Sequence, residues 1–442
     1  MITPRLFLSR LLCAALLALA AAAPAFAFNV ETVTSPGGIK AWLVHDKGIP
    51  LIAMNFAFRG GSTLDPPGKE GTVNFITGMM DEGAADFDSA AFQKARDQLS
   101  FKMSFDAGRD EFEGSFQTLS RNADASFELL RKVITAPRFD AEPMERVRRQ
   151  FLLSVQGQLE DPERIASAAW MKLALPGDAY SRETEGTPGS IAAITANDLH
   201  QAHDRLFNRK TLQVAVVGDI DAAGLGKLLD HVFGGLPEGS EPPALPLPKL
   251  AEGPILKVIP RDIPQSVILF GHGGIERDDP DFIAAYIMTE ILGSGSFGSR
   301  LTTEIRERRG LTYGVAAGLA PMRRVGLFLG SLGTRNEKAG EALSLVRQEL
   351  KRMAELGPTS QELDEAKTYL MGSFALRFST NAAIASQLLG YEQENLGIDY
   401  VTTRNARVAA VTLDEVKTQA RRLLHGDKLI VTVVGKPDGL TN

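Results

Sequence analysis

Hydrophobic runs and turn signals follow one order in both halves of the chain. Strand-like segments come first: Ile39–Asp46 (IKAWLVHD) and Leu51–Arg59 (LIAMNFAFR), then later Ile255–Pro260 (ILKVIP) and Ser266–Gly274 (SVILFGHGG). A helix-like run follows each pair, VNFITGMMDEG over 73–83 and FIAAYIMTEIL over 282–292. Strand-rich stretches come next, over 100–119 and 312–333. Further helices and one closing strand end each half. This order predicts an α+β fold of two homologous domains, each a mainly antiparallel sheet with helices packed on it.

The halves are related by an internal repeat. ITANDLHQAHDRLFNRKTLQVAVVGD, from Ile194, aligns without a gap on VTLDEVKTQARRLLHGDKLIVTVVGK, from Val411, at an offset of 217. Thr195/Thr412, Leu206/Leu423, Val216/Val433 and Gly218/Gly435 are among the identical pairs. Each copy reads as a capped amphipathic helix, a short turn and a buried strand. Ile165-Ala166-Ser167 recurs as Ile384-Ala385-Ser386, at an offset of 219. Proline clusters over 238–254, which predicts an extended linker between a first domain, 28–237, and a second, 255–442.

The N-terminus has the pattern of an export signal, 1–27. Arg5 and Arg10 precede the apolar run 11–23, and Ala25-Phe26-Ala27 forms an A-x-A site. The run is too short for a comfortable membrane span, and no later run is long enough. Cys13 is the one cysteine and would leave with the signal, so the mature chain has no disulfide and no thiol chemistry. These features predict a bacterial periplasmic protein. The formal net charge is −6 with no basic run, which argues against nucleic acid or an anionic membrane as partner.

Three motifs invite chemistry. Gly293–Gly298 matches G-x-G-x-x-G, but a helix precedes it where a nucleotide fold needs a strand, so it reads as a helix C-cap and loop. His200 and His203 share a helix face without an acidic residue between them, and read as a solvated face rather than a metal site. His272 reads as part of a strand end. The third motif is SRLTTEIRERRGLTYGV, over 299–315. Gly310 should end its helix, so that Tyr313 enters the next strand, seven residues after Arg306. By charge alone, Arg306, Arg308 and Arg309 form a helix end that complements the dipole.

FRGGSTLDPPGKEGTVNFITGMMDEG, YSRETEGTPGSIAAIT, SRLTTEIRERRGLTYGV and a closing VAVVGD-type strand in both halves together resemble the M16 zinc metallopeptidases, the pitrilysin, insulinase and mitochondrial processing peptidase relatives. The resemblance spans the whole mature chain. It implies the M16/LuxS-like metallohydrolase fold and a clamshell of two chains around a chamber. In that family an active chain carries His-x-x-Glu-His and a distant Glu around zinc, the motif Glu serving as base. Here those positions read Asn74, Thr77, Gly78 and Ser154. Such side chains do not replace two imidazoles and a carboxylate, so no metal or other cofactor is expected in this chain. The Arg and Tyr of R-x(6)-Y are kept as Arg306 and Tyr313; the resemblance gives them substrate binding and oxyanion stabilisation.

A lost metal half and a kept donor half imply a divided site. The expected partner is a homologous HxxEH-bearing M16 subunit that holds the zinc, with a peptide as substrate. The alternative is a catalytically silent M16-like structural or peptide-binding protein. The histidine contexts give little support to a third reading, a stand-alone hydrolase.

Overall fold

The structure is a computed structural model and describes residues 29–294 and 298–441. The expected export signal with Cys13, and Gly295, Ser296 and Phe297 of the glycine motif, lie outside the described residues.

The fold is α+β. In chain order the first half contributes β1 (Glu31–Thr34), β2 (Lys40–His45), β3 (Leu51–Arg59), the two-residue ribbon β4 (Gly83–Ala84) and β5 (Phe87–Asp88), then β6 (Lys102–Ala107), β7 (Glu111–Leu119) and β8 (Leu212–Gly218). The second contributes β9 (Ile255–Pro260), β10 (Gln265–Gly273), β11 (Thr312–Met322), β12 (Val325–Arg335) and β13 (Ile430–Gly435). They form a six-stranded sheet, β1-β2-β8-β3-β7-β6, and a five-stranded sheet, β11-β12-β10-β13-β9. Without β1, the first order is the second read backwards. In each sheet the last strand of the half sits between one parallel neighbour (β2 or β9) and one antiparallel neighbour (β3 or β10).

The repeat extends to details of packing. Phe56 on β3 lies opposite Gly114 on β7, and Phe270 on β10 lies opposite Gly330 on β12. A Cβ at either glycine would come within 2.2 or 2.3 Å of the facing ring, so each phenylalanine lies flat over its partner strand. The helices before the closing strands, Ala196–Leu206 and Leu413–Leu423, both start with reciprocal capping boxes, Thr195 with Asp198 and Thr412 with Glu415.

The halves also exchange a helix. Pro162–Ala174, from the first half, packs on β13 and β10 of the second sheet. There Trp170 is fully buried and donates from Nε1 to the Ile430 carbonyl at 2.9 Å, and Thr432 Oγ1 donates to the Ala166 carbonyl at 2.9 Å. In return Asn381–Gln393, from the second half, packs on β8 and β3 of the first sheet. Its Ala385, Leu388 and Leu389 bury against Val44, Ala53, Ala57 and Val217. The two exchanged helices carry the two copies of Ile-Ala-Ser.

One polar group sits badly in that second interface. Glu392 takes a hydrogen bond from the Val214 amide, its Oε2 has no partner among the described residues, and burial pushes its pKa from 4.5 up to about 7. The folded protein therefore holds this proton more tightly than the unfolded chain. Its contribution to stability is fullest below pH about 4.5 and is lost as pH rises through about 7. Glu392→Gln should remove that slope. Urea midpoints at pH 5 and pH 8 are expected to show the wild type losing on the order of 2 kcal/mol relative to the variant across this window.

Residues 238–254 form neither helix nor strand. They are tied down by Arg324 Nη1 donating to the Pro246 carbonyl at 2.6 Å and by the Ala251 amide donating to the Ala174 carbonyl at 2.8 Å.

Candidate functional site

Asn74, Thr77 and Gly78 lie on the helix Thr72–Met79, which stops short of the predicted end at Gly83. Its N-cap residue, Gly71, has no side chain to cap with. Asp65 does the capping from outside, accepting from the Gly71 amide at 2.8 Å and the Val73 amide at 3.1 Å. Burial pushes Asp65 up to about 7, against the pull of those amides and of Arg205 and Arg182.

No zinc site remains on this helix. Thr77 turns back and donates from Oγ1 to the Asn74 carbonyl at 2.7 Å. A Cβ added at Gly78 would lie 2.8 Å from Phe151 Cζ and 2.9 Å from Val147 Cγ1. Both residues come from the helix Ala141–Gln158, and Phe151 meets Phe75 edge-on at 5.3 Å. Ser154, one turn beyond Phe151, is exposed. Hydrocarbon thus fills the space a second imidazole would need, and the residues present do not fit zinc. Among the described residues no group of three or more His, Cys, Asp or Glu is placed to hold a metal. Restoring the ligands alone, as Asn74→His, Thr77→Glu, Gly78→His and Ser154→Glu together, should leave zinc substoichiometric by equilibrium dialysis, because the imidazole introduced by Gly78→His would collide with Phe151. Adding Phe151→Ala should raise the bound zinc.

Arg306 and Tyr313 meet at one cleft of about 510 Å³. The segment Thr302–Glu307 is a π-helical turn, where the sequence pattern predicts an ordinary helix end. Glu304 explains how its three arginines divide. Its buried carboxylate pairs with Arg308 and with Arg309, the latter at 2.6 Å, and is held below the usual carboxylate range by Arg309. Arg306, the third, lines the cleft. Gly310, at φ +61°, ends the turn as expected, with its amide bonded to the Arg306 carbonyl at 3.0 Å. β11 then starts at Thr312 with an irregular register between Thr312 and Val315. Thr312 Oγ1 lies 2.7 Å from the carbonyls of Gly314 and Gly333, which pins the bulge. Tyr313 is thrown outward and is 87% exposed.

The far wall of this cleft comes from the exchanged helix, through Glu163 and Ala166. Sequence reasoning missed both, and nothing in their local pattern marks them. It also missed Glu304, although its i, i+4 spacing to Arg308 was a readable signal. Asn74, Thr77, Gly78 and Ser154 are not among the residues of this cleft. The chain therefore presents two separate sites, one closed by side-chain packing and one open.

Two histidines, His272 and His203, are structural. His272 ends β10, stacks on Phe328 and bonds the Gly273 carbonyl through Nδ1 at 2.7 Å, while its Nε2 accepts from the His425 amide. Burial lowers its pKa to about 4. His200 is exposed, but the expected solvated face is wrong for His203. His203 falls on the buried side of its helix with Leu199, Ala202 and Leu206, stacks on Phe207 and bonds the Ile134 carbonyl at 2.8 Å. The helix Phe282–Gly293 ends inside the glycine motif, as a C-cap reading requires.

The fold and the two sites define a class: a duplicated α+β chain whose helix at Asn74–Gly78 is packed with hydrocarbon and whose Arg–Tyr cleft is open. Comparison with known proteins bears on the fold and the family. A family model described as the peptidase M16 inactive domain matches residues 193–370. A non-peptidase homolog, YmxG, of Helicobacter pylori is 26% identical over 372 residues, covering 83% of this chain and 85% of that one. The crystal structure of a peptidase M16 inactive domain from Pseudomonas fluorescens superposes with a TM-score of 0.87 at 30% identity, covering 94% of this chain and 99% of that one. A protease from Helicobacter pylori shares the fold, with a TM-score of 0.82 at 17% identity over 92% of this chain and 99% of that one. The chain belongs to the peptidase M16 family. No helix among the described residues is long and apolar enough to cross a membrane.

Proposed function

We propose that this chain is the non-zinc subunit of a heteromeric, periplasmic M16 zinc peptidase. In this reading a homologous HxxEH-bearing subunit supplies the zinc and its general base. Arg306 and Tyr313 act in trans, holding the peptide backbone and donating to the oxyanion as the tetrahedral intermediate forms. The observation that carries the reading is the contrast between the two sites: Phe151 and Val147 occupy the metal side, while Arg306 and Tyr313 line an open cleft. A guanidinium and a phenol are suited to the role because both donate without needing to change protonation. The Arg5–Ala27 pattern supports the exported location.

The test is co-expression of the mature chain with an HxxEH-bearing M16 chain from the same source. A stable complex that cleaves peptides, from two chains that do not cleave alone, is the expected result. Failure to form a complex overturns the reading, as does robust zinc-dependent cleavage by this chain alone. The name of the Helicobacter pylori homolog favours a second reading, a silent structural or peptide-binding protein. An assembly that stays fully active with both Arg306→Ala and Tyr313→Phe would select it.

A further inference from the structure

A second cavity, of about 340 Å³, lies among the helices of the second half. Its walls are aromatic: Phe282, Tyr286, Phe374, Tyr391 and Tyr400, with Tyr391 and Tyr400 meeting edge-on at 4.9 Å. Three guanidiniums line it, those of Arg277, Arg377 and Arg404, against one carboxylate, Glu394. Arg277 pairs with Glu394 at 2.7 Å and lies over the Phe282 ring at 4.3 Å. Arg404 is only 5% exposed. It donates to the Leu370 carbonyl and to Asn405 Oδ1 and lies over the Phe374 ring at 4.6 Å. Among the described residues no carboxylate pairs with it. Arg377 is exposed at the cavity wall and also faces Glu290, which lines the adjoining cleft.

A buried cation without a counter-ion is costly, and aromatic faces compensate only part of that cost. The cavity is therefore short of negative charge, in a chain whose net charge is −6. Its volume suits a small group with a flat or compact apolar body.

The cavity and the Arg306–Tyr313 cleft both adjoin a third cleft. That cleft, which Glu290 also lines, shares Leu269, Ala316 and Ser331 with the Arg306–Tyr313 cleft and Tyr286 and Leu319 with the aromatic cavity. All three follow β11, the edge strand of its sheet, from Tyr313 to Pro321. At about 3.3 Å per residue that is roughly 25 Å of extended chain.

We propose that this cavity binds a carboxylate carried on a compact apolar or aromatic group, and that the C-terminal residue of a peptide lying along β11 supplies it. The peptide as source rests on the function proposed above; the carboxylate site does not. Arginine donors would take the carboxylate in charge-assisted hydrogen bonds while the rings enclose the side chain.

Calorimetric titration of the mature chain alone tests both parts without any zinc-bearing partner. The probes are N-acetylphenylalanine and its amide, then an eight-residue peptide ending in phenylalanine, as free acid and as amide. Each acid is expected to bind at least about tenfold tighter than its amide, and Arg377→Gln and Arg404→Gln to weaken the acids by about tenfold each. Arg377 is exposed, so its replacement keeps the test valid if Arg404→Gln fails to fold. Equal affinity for acid and amide, or acid binding unchanged by Arg377→Gln, overturns the site. Binding of the small acid without tighter binding of the peptide acid supports the site and overturns the peptide as its source.

Discussion

Arg306→Ala is expected to lower kcat of the proposed two-chain assembly by about 10²–10³-fold with a small change in KM, the pattern for a donor used mainly in the transition state. That corresponds to about 2.7–4 kcal/mol. Of the three neighbouring arginines, two are committed to Glu304, and the third lines the cleft. Arg308→Ala, at a largely exposed position, is the matched control and should leave turnover close to wild type. Tyr313→Phe removes only the hydroxyl from an exposed ring, and is expected to cost a comparable factor. If both groups serve one oxyanion, the double variant should lose less than the product of the single losses. Steady-state kinetics of the four assemblies decides this; unchanged kcat for Arg306→Ala would remove the chain from the chemistry.

Trp170→Ala is expected to be the most destabilising single change, by about 3–5 kcal/mol. The indole is fully buried and its Nε1 is bonded to the Ile430 carbonyl on an interior strand of the other half's sheet. Truncation removes the wedge between Met171, Leu327 and Ile430 and leaves that carbonyl without this donor. A domain's whole stability is about 5–15 kcal/mol, so the urea midpoint should move far. Because the contact joins the halves, the transition should also broaden or split. A shift within about 0.5 kcal/mol, the size expected of a surface position, would show that this helix does not hold the second sheet.

Much of this was readable in advance, and the failures have physical causes. The fold class was legible because Thr195 and Thr412 cap equivalent helices that lead into equivalent strands, and local capping and burial leave a pattern in one dimension. Which sheet Pro162–Ala174 packs on was not legible. Its apolar face is the same whichever sheet it covers, so Glu163 and Ala166 could not be placed near Arg306. That Asn74, Thr77 and Gly78 make a poor zinc ligand set follows from side-chain chemistry alone. That Phe151 fills the space does not, because the contact joins residues far apart in sequence. His203 was misplaced for a simpler reason: a polar residue was assigned to the polar face, although Leu199 and Leu206 set its side of the helix inward. The π turn at Arg306 left no mark in hydrophobic spacing.

The crossed placement of Pro162–Ala174 and Asn381–Gln393 bears on how such a chain arose. Two copies of one unit, each lending the same segment to the other, form a domain-swapped pair. Here the pair is joined end to end by residues 238–254. Each copy builds its main core from its own residues, but its sibling's helix covers the other face of its sheet. Each half can therefore vary its exposed surface independently while the exchanged helices keep the two sheets tied to each other.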